Sequence, residues 1–170
     1  ELQRRSTVVH VAVIGLGTGT MAAFARPGDV ITFYEIDPKV RDIATNRFYF
    51  GYVPEAISRG AIVRIEMGDA RIRMDEVRRE RPGERYDLIV DIAGNPALSR
   101  LRRALTPTGT AVITGGEGGG SWTGMGRQLR GLALSPFVRQ RLTTFVAKQR
   151  SSDLERLTEL IEAGTVTPSI

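Results

Sequence analysis

Three glycines at alternate positions, Gly15, Gly17 and Gly19, follow an apolar run that starts at Val11. Small and β-branched residues of this kind favour a strand that is buried on both faces. Glycine then lets the backbone turn sharply and lets a ligand approach where a Cβ would otherwise stand. Such turns open the first crossover of nucleotide-binding sheets, although a tight turn without a ligand has the same sequence. The spacing predicts a candidate nucleotide-binding turn.

Acidic side chains follow the next three predicted strands and form the second group with possible chemistry. Glu35 stands twenty residues after the first glycine, a spacing at which an acid accepts hydrogen bonds from ribose hydroxyls and repels a ribose 2′-phosphate. Asp37 either shares that role or caps the following helix, and we favour capping. Asp69 either contacts an adenine edge or is an ordinary turn aspartate. Asp91 either acts as a general base or caps the next helix.

Strands and helices in alternation must position these residues. The apolar and β-branched runs predict strands at 11–14, 30–35, 61–67, 86–91, 110–115 and 142–147, with a short seventh at 166–170. Helix-like stretches lie between them, including 126–134, and the segment 106–109 is predicted to end the helix before it. The alternation predicts a Rossmann-like α/β fold: a doubly wound, mainly parallel sheet of six to seven strands in three layers, with strand order about 3-2-1-4-5-6.

Composition narrows the class of protein. The 170 residues fit a single domain, 1–170, without a linker or repeat. The net charge of +5 comes from arginines scattered beside acids, and aromatics make up only 6%, so we expect solvated helix faces and no nucleic-acid partner. No apolar run could span a bilayer and no signal-peptide core is present, which predicts a cytoplasmic protein without a membrane partner. No pattern indicates an oligomeric state.

Metal and triad chemistry find little support in the residue counts. The chain has no cysteine, so disulfides and thiolate metal sites are excluded. Its single histidine, His10, argues against a histidine-rich metal site and against a Ser-His-Asp triad. We therefore predict a small-molecule cofactor and no metal.

The glycine spacing discriminates between cofactors. The last position of a dinucleotide fingerprint, G-x-G-x-x-G/A, holds glycine or alanine. Counted from Gly15, that position is Thr20 in this chain. Here a glycine stands one position earlier, at Gly19, and the pattern is G-x-G-x-G. Together with Glu35, this pattern resembles the first motif of class I S-adenosylmethionine-dependent transferases.

The first half, residues 8–82, resembles the spermidine synthase-like branch of those transferases through VAVIGLGTGTMAAFARPGDVITFYEIDPKV and RIEMGDARIRM. The resemblance implies S-adenosylmethionine or its decarboxylated relative as cofactor, with the three glycines facing its methionine part. It places Glu35 on the ribose, and Asp69 with Ala70 beside the adenine. It implies methyl or aminopropyl transfer, and Asp91 matches the family's catalytic aspartate only after a one-residue shift.

The second half, residues 83–170, resembles the cofactor domain of zinc-type alcohol dehydrogenases, more narrowly their quinone-oxidoreductase relatives. The resemblance lies in ERYDLIVDIAGNPALSRLRRALTPTGTAVITGGEGGG, LSPFVRQRL and DLERLTELIEAGTVTP. It implies NAD as the alternative cofactor, with the loop 115–120 near the nicotinamide, but it brings neither zinc ligands nor a catalytic domain.

The two resemblances predict a chimera that joins a transferase-like half, 1–82, to a dehydrogenase-like half, 83–170. The leading hypothesis is an S-adenosylmethionine-type site in a catalytically incomplete transferase. The alternatives are an NAD-binding oxidoreductase module and a recombined or designed fold without catalytic function.

Overall fold

A computed structural model describes residues 8–92, 96–114, 138–144 and 150–167. Within them, six strands form one parallel sheet in the order β3-β2-β1-β4-β5-β6. The strands are β1 His10–Ile14, β2 Val30–Glu35, β3 Ile62–Met67, β4 Tyr86–Asp91, β5 Leu105–Ile113 and β6 Arg141–Thr144. This order confirms the predicted Rossmann-like α/β fold.

Helices cover both faces of the sheet. The covering helices are a 3₁₀ helix Thr20–Phe24, α1 Pro38–Thr45, α2 Tyr52–Ser58, α3 Ala70–Glu80 and α4 Leu98–Ala104, whereas α5 Ser151–Glu162 has no buried residue. The 3₁₀ helix, α1 and α2 contribute to the core on one face, and α3 and α4 to the core on the other. The change of face occurs between β3 and β4, as right-handed crossovers require when the strand order reverses direction.

Strand β2 shows how alternation sorts its side chains between the two cores. Phe33 packs beneath α1 and α2, whereas Tyr34 packs beneath α3 and α4. Successive side chains of a strand point to opposite faces, and every residue of β2 is buried. The continuous apolar run in this strand therefore reflects burial on both faces.

Two predicted boundaries are corrected by the structure. The helix ends before the segment 106–109 as expected, at Ala104, but β5 begins at Leu105 and not at the predicted position 110, so that 106–109 belong to the strand. The pairing of β4 with β5 is irregular between Tyr86 and Leu88, and such an irregularity accommodates a proline in a strand. Val166 is not in a strand. The predicted helix 126–134, the loop 115–120 and the positions 145–147 and 168–170 of predicted strands lie outside the described residues.

Two buried polar contacts link residues that are far apart in the sequence. The hydroxyls of Tyr34 and Tyr86 lie 2.7 Å apart beneath α3, and burial raises the pKa of both tyrosines. Just before β2, Asp29 accepts hydrogen bonds from the backbone N–H of Val9, which precedes β1, and from the backbone and guanidinium of Arg26. Burial alone would raise the pKa of Asp29, but these donors lower it below its ordinary value.

Candidate functional site

The carboxyl ends of β1 and β4 form the switch point of the sheet. These neighbouring strands continue into connections that run to opposite sides of the strand order, and ligands bind at such points in open α/β sheets. The backbone is tied together here: Gly15 N donates to Tyr34 O over 2.9 Å, and Ile92 N donates to Ile14 O over 3.1 Å. These hydrogen bonds hold the carboxyl ends of β1, β2 and β4 together where the turn after β1 begins.

The three glycines of this turn all adopt left-handed backbone conformations, with φ of 96° at Gly15, 54° at Gly17 and 80° at Gly19. A Cβ on Gly17 would have no atom within 4 Å, whereas one on Gly19 would lie 2.7 Å from Val53 Cγ2 of α2. Gly19 is thus required for packing, and Gly17 faces open space. In the described part of the chain, the N–H groups of Gly17 and Thr18 have no acceptor.

Glu35 joins the ends of β1 and β2. One carboxylate oxygen accepts from Leu16 N over 2.9 Å, and the other accepts from Ile36 N over 2.8 Å and Asp37 N over 2.9 Å. The side chain is only 8% exposed. Because a carboxylate offers about four acceptor positions, three are already used, and about one is left for a ribose hydroxyl.

The other acids from the sequence have local partners. Asp37 caps α1 by accepting from Lys39 N over 2.8 Å, as we favoured. Asp69 caps α3 by accepting from Arg71 N over 2.8 Å, and the Arg71 guanidinium beside it lowers the pKa of Asp69. Ala70 is buried in the core under α3. Asp37 and Asp69 thus lie at the carboxyl ends of β2 and β3, but their carboxylates already serve as helix caps.

Asp91 does not face the glycine turn. It pairs in register with Ile14 and Ile113, and both of these side chains belong to the core beneath α3 and α4. Its side chain is fully buried, so in this conformation a substrate has no access to its carboxylate. Thr114, after β5, donates its backbone N–H and its hydroxyl to the carbonyl of Asp91, each over 3.0 Å.

Two features of this edge go beyond the sequence prediction. The short helix-like run expected at 21–26 is a 3₁₀ helix of five residues, Thr20–Phe24, and so it lacks the aligned dipoles of a long α-helix. Ile36 is 67% exposed between two acids, where it offers an apolar surface at the edge of the turn. The sequence does indicate that Ile36 is exposed, because it follows Glu35, the last residue of the predicted buried strand, and precedes a second acid, Asp37.

The described residues offer neither a metal-binding cluster nor a membrane-spanning helix. Within 8–92, 96–114, 138–144 and 150–167, no group of three or more His, Asp or Glu side chains is placed to hold a metal ion. Among the helices in these ranges, none has both the length and the apolar content that crossing a bilayer requires.

Comparison with protein families gives one match. A family model described as zinc-binding dehydrogenase matches residues 61–170. The match begins upstream of residue 83 and so includes part of the half that resembles a transferase. No curated protein gives a significant match to the chain.

Solved structures with a similar chain path include AibC, at 16% identity and a TM-score of 0.57, covering 99% of this chain and 42% of AibC. An NAD-dependent alcohol dehydrogenase is 17% identical with a TM-score of 0.46, covering 95% of this chain and 42% of that enzyme. An alcohol dehydrogenase superfamily protein from Novosphingobium aromaticivorans is 17% identical with a TM-score of 0.44, covering 97% of this chain and 46% of that protein. The chain therefore spans less than half the length of these proteins.

These findings bear differently on the two resemblances. The family match supports a dehydrogenase-like cofactor domain, and no comparison supports the spermidine synthase-like assignment of residues 8–82. The described residues include no zinc ligand set.

Proposed function

The chain belongs to the zinc-binding dehydrogenase family, and we propose that it is a cofactor domain that binds a nicotinamide dinucleotide over the carboxyl ends of β1 and β2. When bound, such a cofactor supplies hydride transfer. The residues of this chain would bind and orient it. The observation that carries the proposal is the open turn at Gly17, at the switch point of a sheet whose residues 61–170 match this family.

The turn fits an anionic ligand. Backbone N–H groups that converge on open space bind phosphate and other anions, and those of Gly17 and Thr18 have no acceptor in the described part of the chain. A side chain at position 17 would occupy the space that a pyrophosphate needs. The hydroxyls of Thr18 and Thr20, 2.7 Å apart and exposed, stand beside these donors. Gly15 and Gly19 would hold the turn in this shape.

The acids would select the sugar. Glu35 has about one acceptor position free, which suits one ribose hydroxyl. The negative charges of Glu35 and Asp37 would disfavour a 2′-phosphate, so NAD is the expected form rather than NADP. Asp69 and Ala70, at the next strand end, would lie on the adenine side.

Asp91 has a positioning role in this proposal. Its side chain is buried, and its carbonyl holds Thr114 at the end of β5. The variant Asp91→Asn keeps the backbone carbonyl that Thr114 contacts and changes only a buried carboxylate that a substrate does not reach in this conformation. It should alter stability more than the pH profile of any activity. A general-base role for Asp91 would require the chain after β4 to move and expose the carboxylate.

S-adenosylmethionine is the second candidate ligand, and the shape of the first crossover favours it. The 3₁₀ helix begins at Thr20 and has only five residues, so little helix dipole is available to stabilise a pyrophosphate. A sulfonium nucleoside carries no phosphate and needs no such dipole. This candidate keeps the spermidine synthase-like resemblance of residues 8–82 and with it methyl or aminopropyl transfer.

Titration with NADH by fluorescence and with S-adenosylmethionine by calorimetry separates the candidates. Gly17→Val should abolish NADH binding, because the side chain fills the open face of the turn. Gly83→Val is the matched control: Gly83 also has a positive φ, of 90°, and a Cβ there also has no atom within 4 Å. The backbone strain is then comparable, and only the position relative to the switch point differs.

Three outcomes would change the assignment. Preference for S-adenosylmethionine over NADH would reverse the ranking of the ligands. Equal loss of NADH binding in both variants would mean that strain, and not the site, is responsible. A protein that melts cooperatively and binds neither ligand at millimolar concentration would be a fold without a cofactor.

A further inference from the structure

The amino ends of β4, β5 and β6 carry a group of arginines, called here the arginine edge. Its members are Arg85, directly before β4, then Arg102 and Arg103 in the last turn of α4, and finally Arg139 and Arg141 around the start of β6. All strands of a parallel sheet begin at the same edge, and α4 returns to that edge before β5 begins. The fold therefore gathers residues that lie far apart in the sequence.

A glutamine joins the end of α4 to the start of β6. The Arg102 guanidinium donates to Gln140 Oε1 over 3.2 Å, and Gln140 Nε2 donates to the carbonyl of Arg102 over 2.7 Å. Arg139 and Arg141 stand on either side of Gln140 in the chain and are exposed. These hydrogen bonds thus bring the arginines of α4 and those of β6 to one surface.

Strand pairing brings Arg85 to the same surface. Tyr86 pairs with Leu105, the residue that follows α4, so Arg85 lies beside the last turn of that helix. The Arg85 guanidinium donates to the carbonyl of Glu84 over 2.8 Å, which is a neutral acceptor. Its positive charge therefore remains available.

None of the five arginines forms an ion pair within the described residues. Of the acids around them, Glu84 is already paired with two other arginines, over 3.0 and 3.4 Å, and Glu80 at the end of α3 is paired over 2.7 Å. Asp87 accepts from His10 N over 3.0 Å and from the Thr106 hydroxyl over 3.3 Å. These are neutral donors, so Asp87 keeps its charge, and five guanidinium groups stand against one uncompensated carboxylate.

The sequence supplies little further negative charge to this region. Positions 85–150 hold ten Lys and Arg residues against three Asp and Glu residues, whereas the net charge of the whole chain is only +5. One of these three acids, Asp91, ends β4 at the opposite edge of the sheet. Outside the described residues, the only acids of the sequence are Glu1 and Glu117. The positive charge of the chain is therefore concentrated in this part of the fold.

Phosphate is the anion that such a surface suits best. The planar guanidinium binds two phosphate oxygens at once. From β4 to β6 the edge spans two interstrand distances, roughly 10 Å, and one strand of a duplex presents about three phosphates over that length. In the described part of the arginine edge no large hydrophobic side chain is exposed, so the surface serves neither the stacking of unpaired bases nor insertion into a membrane surface.

We propose that the arginine edge binds the phosphate backbone of a nucleic-acid duplex without reading its sequence. The glycine turn lies at the other end of the strands, roughly 20 Å away, so a duplex and a cofactor would bind together. The inference does not depend on the proposed cofactor. It departs from the expectation of no nucleic-acid partner, because that expectation rested on scattered positions in the sequence, which the fold brings together.

Fluorescence anisotropy of a labelled DNA duplex of about 20 base pairs, titrated with the full 170-residue chain, tests the proposal. We expect a dissociation constant in the micromolar range at 50 mM salt. It should rise about 40- to 150-fold at 200 mM salt, because three or four phosphate contacts release their counterions.

Reversal of three charges locates the surface. Arg103→Glu, Arg139→Glu and Arg141→Glu together should weaken duplex binding at 50 mM salt at least about tenfold. All three side chains are exposed, so circular dichroism should show the melt of the wild type, and NADH binding should be unchanged.

The matched control reverses three arginines elsewhere, with Arg41→Glu, Arg47→Glu and Arg156→Glu. This variant has the same net charge as the first, and its duplex binding should weaken by less than about threefold. If the arginine-edge variant melts early, Arg139→Glu alone replaces it, because this position lies outside the helices and strands.

Three results would overturn the proposal. Equal weakening in the two triple variants would mean that overall charge, and not this edge, is responsible. Absence of duplex binding at 100 micromolar chain in 50 mM salt would remove the partner. Binding to phosphatidylserine vesicles without binding to the duplex would replace nucleic acid by an acidic membrane surface.

Discussion

Substitution of Glu35 by glutamine distinguishes a structural clamp from a ligand acceptor. The glutamine oxygen can still accept from Ile36 N and Asp37 N, as Glu35 does now. Its amide NH₂ must then face Leu16 N, which is a donor against a donor. Leu16 is buried, so water offers little replacement for the lost acceptor.

The cost follows from these contacts. A buried N–H without an acceptor costs about 1–3 kcal/mol, and the two remaining hydrogen bonds lose their charge-assisted strength. Together we expect about 3 kcal/mol in the free energy of unfolding. For a chain of this length, that lowers Tm by roughly 6–12 °C.

The assay is thermal and urea unfolding of wild type and Glu35→Gln without any cofactor. Asp37→Asn is the matched control, because Asp37 is exposed and makes its single cap to Lys39 N through an oxygen that asparagine retains. Its Tm should change by less than about 2 °C. If Glu35→Gln also leaves Tm within that margin but abolishes NADH binding, Glu35 is a ligand acceptor and the clamp assignment is refuted.

Two further predictions concern the buried polar contacts. Because the pKa of Tyr34 is raised, its contribution to stability is fully present below pH 10.0, the ordinary tyrosine pKa, and falls as pH rises above it, since the unfolded chain ionises first. Tyr34→Phe should cost about 1 kcal/mol in the free energy of unfolding at neutral pH and flatten that alkaline decline. Urea unfolding from pH 8 to 11 measures both effects. Because the pKa of Asp29 is lowered, its contribution to stability is present above pH 3.8 and is lost as pH falls below that value. Asp29→Asn should cost about 2 kcal/mol in the free energy of unfolding at pH 7 and flatten the acid decline. Urea unfolding from pH 2 to 7 measures both effects.

Each of these variants has a contradicting result. An alkaline decline that is as steep in Tyr34→Phe as in wild type would exclude the ionisation of Tyr34 as its source. A Tm for Asp29→Asn equal to wild type at pH 7 would show that Val9 N and the Arg26 backbone find other acceptors.

Much of the fold was readable from the sequence because its signals are local. Alternating apolar runs and turn residues predicted all six described strands, and right-handed crossovers predicted their order. The end of α4 was predicted from the turn residues at 106–109, since the helix ends at Ala104. The early start of β5 was not, because Leu105 joins the sheet through an irregular register that skips from Leu105 to Thr110 opposite β4. One of the two family resemblances agrees with the comparisons. The dehydrogenase resemblance of residues 83–170 falls within the matched residues 61–170, whereas the transferase resemblance of residues 8–82 finds no support there.

The candidate site divides in the same way. The sequence predicted a sharp turn at Gly15, Gly17 and Gly19 and placed Glu35 at the end of the next strand, because both follow from residue types that are close together in the chain. The folded structure then set a positive φ at all three glycines and brought three backbone N–H groups to Glu35. It also decided that Asp91 faces the core, because a side chain's face depends on its register with neighbouring strands, and that register is set by packing between residues far apart in the chain.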